Sequence, residues 1–258
     1  MLVIDIGNTT VALGIWKGKV LFKKIILPSK KEEDFYLRHM MSLKRNFPEI
    51  SLLVISSVVP FLNQVFKKVV ERVFNIKPVI LKWKDIDIKV LTQSPQKVGI
   101  DRLVNAYGAY KLYTPPAIVI DFGTATTFDV VTEKGEYQGG VIAPGVDISR
   151  KALFEKAEQL FPVKLIRPKG TVGKTTKQAL QIGIYYSIIG GINEIVNRIK
   201  REVGQCEVIA TGGYCELIRS KVIDKVDRDL IFKGLYLIGK KIRNKKNFQK
   251  NKKKLNIS

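Results

Sequence analysis

The chain has 258 residues, 45% of them hydrophobic, and its 45 Lys and Arg outnumber 23 Asp and Glu to give a net charge of +22. That length and composition suit a globular protein of one or two domains; no apolar run nears the roughly 20 residues of a bilayer span, and Met1-Leu2-Val3-Ile4-Asp5 lacks a signal peptide's basic region, which predicts a cytoplasmic protein with no membrane partner. Cys206, Cys215 and the single His39 form no ligand cluster, which sets aside zinc and iron–sulfur chemistry and leaves two reduced thiols.

Three β-type runs open the chain, Leu2 to Gly7, Val11 to Trp16 and Val20 to Leu27, the last two split by Lys17-Gly18-Lys19, and they predict an antiparallel meander. A helix from about Glu32 to Arg45, an apolar strand at Leu52 to Val59, a helix from about Phe61 to Phe74 behind Pro60 and a strand at Val79 to Leu81 follow, an alternation that predicts an α/β fold. Asp101 to Tyr110 reads as a helix with an acid in its first turn, where the helix dipole favours one. Thr114-Pro115-Pro116 breaks the pattern and predicts a boundary between halves. Strands at Ala117 to Asp121, Thr126 to Thr132 and Glu136 to Ile142 then repeat the opening, and a helix from about Asp147 to Gln159 follows. A long helix is predicted over Thr176 to Glu202, a short strand at Glu207 to Ala210 and a last helix over about Asp229 to Ile242. Ten Lys and Arg lie between Lys233 and Lys254 with no acid among them, and the last stretch, Lys250 to Lys254, reads as a solvated basic tail. The remaining excess is spread along the chain without a nucleic-acid-binding signature, so nucleic acid is not expected as the primary partner.

Val3-Ile4-Asp5-Ile6-Gly7-Asn8-Thr9-Thr10 recurs 116 positions later as Val119-Ile120-Asp121-Phe122-Gly123-Thr124-Ala125-Thr126, with five of eight residues identical. Each copy is an apolar strand ending in an acid, a glycine and small polar residues. Glycine lets the backbone approach phosphate oxygens, and Asn8, Thr9 and Thr10 can donate to them, whereas Asp5 needs a metal or its water shell between itself and a phosphate. Turn-forming residues in a hairpin are the plainer reading of either copy alone. Gly173-Lys174-Thr175 is not a P-loop, because Pro168 stands where that motif requires glycine. Gly99-Ile100-Asp101-Arg102 offers a guanidinium for a substrate carboxylate beside a proton acceptor for an attacking alcohol; a capping acid with a surface ion pair is the alternative.

The ordered set Asp5-Ile6-Gly7-Asn8-Thr9, Gly99-Ile100-Asp101-Arg102, Asp121-Phe122-Gly123-Thr124-Ala125, Gly139-Gly140-Val141-Ile142-Ala143-Pro144-Gly145 and Thr211-Gly212-Gly213 resembles the type III pantothenate kinases. The resemblance spans residues 1 to about 240 and implies a member of the acetate and sugar kinase and actin superfamily, two ribonuclease-H-like halves with an ATP cleft between them. It implies domains at 1–114 and 115–244, with 245–258 as the basic tail. Phosphorylation of pantothenate to 4'-phosphopantothenate, the first step of coenzyme A synthesis, is the implied activity, with ATP, Mg²⁺ and K⁺ or NH₄⁺ in a homodimer. Asp101 matches the general base; Gly99, Ile100 and Arg102 match the pantothenate contacts, and Thr176 matches a contact made across the dimer interface. Asp5, Ile6, Gly7, Asn8, Thr9, Thr10, Val11, Ala12 and Thr124 match ATP contacts, and Asp121 matches the monovalent-cation ligand. Thr92 stands where the family usually has a substrate-contacting tyrosine, which puts that contact in doubt. Another kinase or phosphohydrolase of the superfamily, or an accessory transcription factor touching DNA through the basic tail, would share much of this pattern.

Overall fold

The computed structural model describes residues 1–156 and 159–255. Its elements run β1 (Leu2–Ile6), β2 (Thr10–Lys17), β3 (Val20–Pro28), α1 (Glu33–Asn46), β4 (Leu53–Ser57), α2 (Pro60–Phe74), β5 (Val79–Ile80) and α3 (Ile100–Leu112). After these come β6 (Ala117–Phe122), β7 (Ala125–Val131), β8 (Tyr137–Pro144), α4 (Val146–Lys156), α5 (Thr176–Val203), β9 (Glu207–Gly212), β10 (Lys225–Val226) and α6 (Leu230–Leu255).

The repeat seen in the sequence is a repeat of topology. One sheet has the order β3-β2-β1-β4-β5 and the other β8-β7-β6-β9-β10. In each, the central strand is antiparallel to the strand after it and parallel to the crossover strand, β1 with β2 and β4, β6 with β7 and β9. Central strands with both faces covered must be apolar without alternation, and Leu2, Val3, Ile4 and Ala117 through Ile120 are all fully buried. Asp5 and Asp121 interrupt that pattern near the carboxyl ends of β1 and β6 and are only half-buried.

In the first unit (Met1–Asp87, Ser94–Gly108 and Ile231 onward), Leu2, Ile4 and Ile6 pack with Tyr36 and Met40 of α1 and Phe66 and Val70 of α2. The opposite sheet face meets α6, where a side chain at Gly14 would stand 2.7 Å from the Phe232 ring. In the second unit (Ile88–Gln93 and Ala109–Leu230), Ile118, Ile120 and Phe128 share a core with Leu180, Ile184, Ile192 and Val196 of α5. By length and composition α5 is the one helix among the described residues able to cross a membrane, but it uses these side chains to cover a sheet.

The observed division of the chain is finer than one boundary at residue 114. Residues 88–93 sit with the second unit because they pair with the start of β8, Leu91 N–H donating to Tyr137 O at 2.9 Å and Tyr137 N–H to Lys89 O at 2.8 Å. The chain enters that unit within α3, and α6 returns to the first. α6 continues to Leu255 instead of stopping near Ile242. No Gly or Pro follows Gly239, and Lys, Arg and Gln are good helix formers, so nothing in the sequence breaks it. The helix predicted to reach Gln159 is seen to Lys156; residues 157 and 158 lie outside the described residues.

A Cβ at Gly234 would stand 2.5 Å from the Val104 carbonyl oxygen, so α6 lies on α3 with no room for a methyl group. Gly234→Ala should therefore lower unfolding free energy by about 1–3 kcal/mol, the usual cost of overpacking, read as an earlier urea midpoint. An unshifted midpoint would show that the helices separate without cost.

Candidate active site

The first acid–glycine loop turns from β1 into β2 and is held by main-chain bonds. Gly7 N–H donates to Thr10 O at 2.9 Å, and Val58 N–H donates to Ile6 O at 3.0 Å beside it. Ser29, just past β3, fastens the outer side: its hydroxyl donates to Gly7 O at 2.7 Å and its N–H to Thr9 O at 2.9 Å. With the carbonyls so engaged, Asn8, Thr9 and Thr10 are left exposed at the tip. Ile6 and Val11 bury their side chains in the core, so only their main chains are open to a ligand, and Ala12 is half-buried in β2.

In the same unit, Gly99 precedes α3 and Asp101 lies in its first turn. Asp101 Oδ1 accepts the Arg102 N–H at 2.8 Å, and a Cβ at Gly99 would stand 2.5 Å from that oxygen. Glycine at 99 thus makes space for the carboxylate to fold back over the helix start. The capping role weighed from the sequence is present, and it fixes the carboxylate's direction. Asp101 and Arg102 are half-buried, as is Ile100.

The second loop is built differently. It has one residue fewer: Gly123, Thr124 and Ala125 separate Phe122 from its partner Thr126, where four residues separate Ile6 from Val11. Gly123 N–H donates to Ala125 O at 3.2 Å. Its surroundings are glycines: a Cβ at Gly145 would overlap the Thr124 carbonyl oxygen, and one at Gly212 would overlap Asp121 Oδ1. Gly212 also has φ +87°, a conformation that disfavours any side chain, and Gly213 N–H donates to Phe122 O at 3.1 Å. The Gly139–Gly145 and Thr211–Gly213 motifs therefore end beside the Asp121–Thr124 loop. The sequence marks both motifs but not that they converge there.

Thr176 is exposed at the start of α5, in the wall of a cavity of about 680 Å³ lined by apolar groups such as Phe128, Pro144, Leu153 and Ile184. The preceding Thr175 caps that helix, its hydroxyl accepting the Gln178 N–H at 3.2 Å, which accounts for Gly173-Lys174-Thr175 without a phosphate. Thr92 belongs to the second unit with its hydroxyl buried and unbonded. Burial raises the Cys206 thiol and pushes that of Cys215 up to about 11, with the Glu216 carboxylate adding to the latter, so neither supplies a thiolate nucleophile at neutral pH.

Among the described residues no three His, Cys, Asp or Glu converge as a metal cage. A single carboxylate on each loop is the donor set expected where Mg²⁺ is carried largely by substrate phosphates.

Gly145→Ala would drive a methyl group into the Thr124 carbonyl. The variant should lose at least tenfold in adenine-nucleotide affinity by titration calorimetry, about 1.4 kcal/mol. Wild-type affinity in a folded protein would mean that the loop can move aside without consequence.

The model of the family described as Type III pantothenate kinase matches residues 1–198. A type III pantothenate kinase of Moorella thermoacetica is 40% identical over 250 residues, covering 92% of this chain and 98% of its own. One from Exiguobacterium sp. is 40% identical over 249 residues, covering 92% and 97%. Among solved structures, a Campylobacter jejuni protein described as a Baf family transcriptional activator aligns with TM-score 0.62 at 21% identity, covering 95% of this chain and all of that one. The activator of 2-hydroxyisocaproyl-CoA dehydratase from Clostridium difficile, solved with bound ADPNP, aligns with TM-score 0.55 at 14% identity, covering 97% and 98%. At such identities these structures speak for the fold alone. Sequence and fold together place the chain in the type III pantothenate kinase family.

Proposed function

We propose that this kinase transfers the γ-phosphoryl group of ATP to the primary hydroxyl of pantothenate, giving 4'-phosphopantothenate for coenzyme A synthesis, with Asp101 as general base. The observation that carries the reading is the pair of acid–glycine loops at corresponding ends of two like sheets, in a chain 40% identical to pantothenate kinases over 92% of its length. Nucleotide bound to the dehydratase activator of the same fold supports the ATP part.

Each residue has work suited to its setting. Asn8, Thr9 and Thr10 donate to phosphate oxygens from the exposed tip of the first loop, where Gly7 permits close approach. Asp5, repelled by phosphate, acts through Mg²⁺, which when bound offsets the charge that phosphoryl transfer concentrates. Thr124 contacts ATP from the second loop, and Asp121 holds K⁺ or NH₄⁺. The Asp101 carboxylate, an acceptor with several lone-pair sites, is oriented by the bond it takes from the Arg102 N–H. One of those sites receives the hydroxyl proton as the alcohol oxygen attacks phosphorus and ADP departs. Arg102, with the Gly99–Ile100 main chain, steadies the pantothenate carboxylate, since a guanidinium fork pairs with both its oxygens. Thr176 reaches the substrate of a second copy in a homodimer. With threonine at 92 the aromatic contact is lost, and its buried hydroxyl does not replace it.

A coupled assay with pantothenate, ATP, Mg²⁺ and K⁺ tests the whole; no ADP release above background would sink it. Asp101→Asn should keep its far-UV circular dichroism and lose about 10² to 10⁴ in turnover, the usual worth of a general base, and near-normal kinetics would remove Asp101 from the role. Replacing K⁺ by Na⁺ should abolish activity in the wild type, and equal rates in the two salts would argue against Asp121 as a cation ligand.

A further inference from the structure

Three side chains outside the site just described flank the second loop. Asp147 lies in the first turn of α4, two residues past Gly145, and Tyr214 follows Gly213. The Tyr214 hydroxyl donates to Asp147 Oδ1 at 2.6 Å. Arg150 Nη1 donates to the same oxygen at 2.8 Å and reaches the Tyr214 oxygen at 3.4 Å, while its Nη2 donates to the Val163 carbonyl. The arginine side chain is only 19% exposed, whereas the Asp147 side chain it holds is 70% exposed. Burial first, and the Asp147 bond second, raise the Tyr214 phenol above its ordinary range, so it serves as a donor at neutral pH.

The connectivity gives the cluster its meaning. Gly145 touches the loop at Thr124 and Gly212 touches it at Asp121. Both contacts come from glycines, the residues with the most backbone freedom, and neither position can take a side chain that would hold it. The Tyr214–Asp147–Arg150 bonds join the segment carrying Gly145 to the segment carrying Gly212, and Arg150 anchors both to residue 163. We infer that Asp147, Arg150 and Tyr214 are positioning residues that hold Gly145 and Gly212 around the Asp121–Thr124 loop and so set nucleotide affinity, an inference that rests on the nucleotide role proposed for that loop. Ordering the loop beforehand removes a cost that binding would otherwise bear.

Tyr214→Phe, Asp147→Asn and Arg150→Lys test this, the lysine being unable to span Val163 and Asp147 at once. Each folded variant, checked by thermal melting, should bind Mg-ADP about tenfold more weakly in titration calorimetry, the scale of one hydrogen bond to a charged group. The KM for ATP should rise in parallel, with kcat and the KM for pantothenate within about twofold of wild type. Tyr214→Phe combined with Asp147→Asn should be no weaker than Asp147→Asn alone, as for partners in one bond network. Glu216→Gln, which breaks only the exposed pair with Arg228 at 3.5 Å, serves as the neighbouring control and should match wild type. Wild-type Mg-ADP affinity in the folded variants, even with a lowered melting temperature, would assign the cluster to local stability and overturn the inference. Absent turnover of pantothenate by the wild type would instead sink the kinase reading, with the Mg-ADP titrations still deciding the clamp; no Mg-ADP binding by the wild type would overturn both.

Discussion

A strand covered on both faces has to be apolar along its whole length, and a carboxylate can be placed on it only where the covering ends. β1 and β6 obey that constraint: the residues before Asp5 and Asp121 are fully buried, the two acids are half-buried, and the chain then reverses within a few residues. Ligands of open α/β sheets gather at the carboxyl ends of the strands, and both acids stand near those ends, whereas the fully buried Asp129 within β7 is held by the Tyr137 and Thr127 hydroxyls.

The two loops meet the same requirement by different means. The first, with four residues, is stiffened from outside by the Ser29 hydroxyl and amide, and keeps its polar side chains exposed. The second, with three residues, is stiffened by close packing against Gly145 and Gly212, where main chain stands in place of side chains. A hydrogen-bonded loop can present side-chain donors; a loop wedged between glycines presents backbone. Duplicate strand ends are therefore not equivalent: one offers exposed side-chain donors, the other a carboxylate set among closely packed main chain.

Much of this was legible in the chain because the informative features are local. The β-type runs, the Pro60 helix start and the alternation of strands and helices place every strand longer than two residues and, apart from the end of α6, every helix to within a few residues. What escaped depends on contacts between distant residues. β10 has two residues and exists because Lys225 and Val226 pair with Ile209 and Ala210. Residues 88–93 carry no mark of their pairing with Tyr137. Tyr214 and Asp147 are 67 positions apart, and nothing in either neighbourhood announces the other. The end of α6 was missed for the opposite reason: a lysine-rich terminus reads as solvated tail, although the same residues favour helix wherever no breaker intervenes.

Asp101 shows how a bond at a helix start fixes the direction of an acid. An acid in the first turn of a helix is so common a cap that its function is invisible from local sequence. In α3 the cap is made by Oδ1 to the adjacent Arg102 N–H, and Gly99 leaves the space that this folded-back arrangement needs. A side chain at residue 99 would crowd the carboxylate before it crowded any substrate. Glycine at that position leaves the acid room for this orientation. The general-base role proposed for Asp101 draws on that same geometry, because a general base must have a fixed direction and the bond at this helix start supplies one.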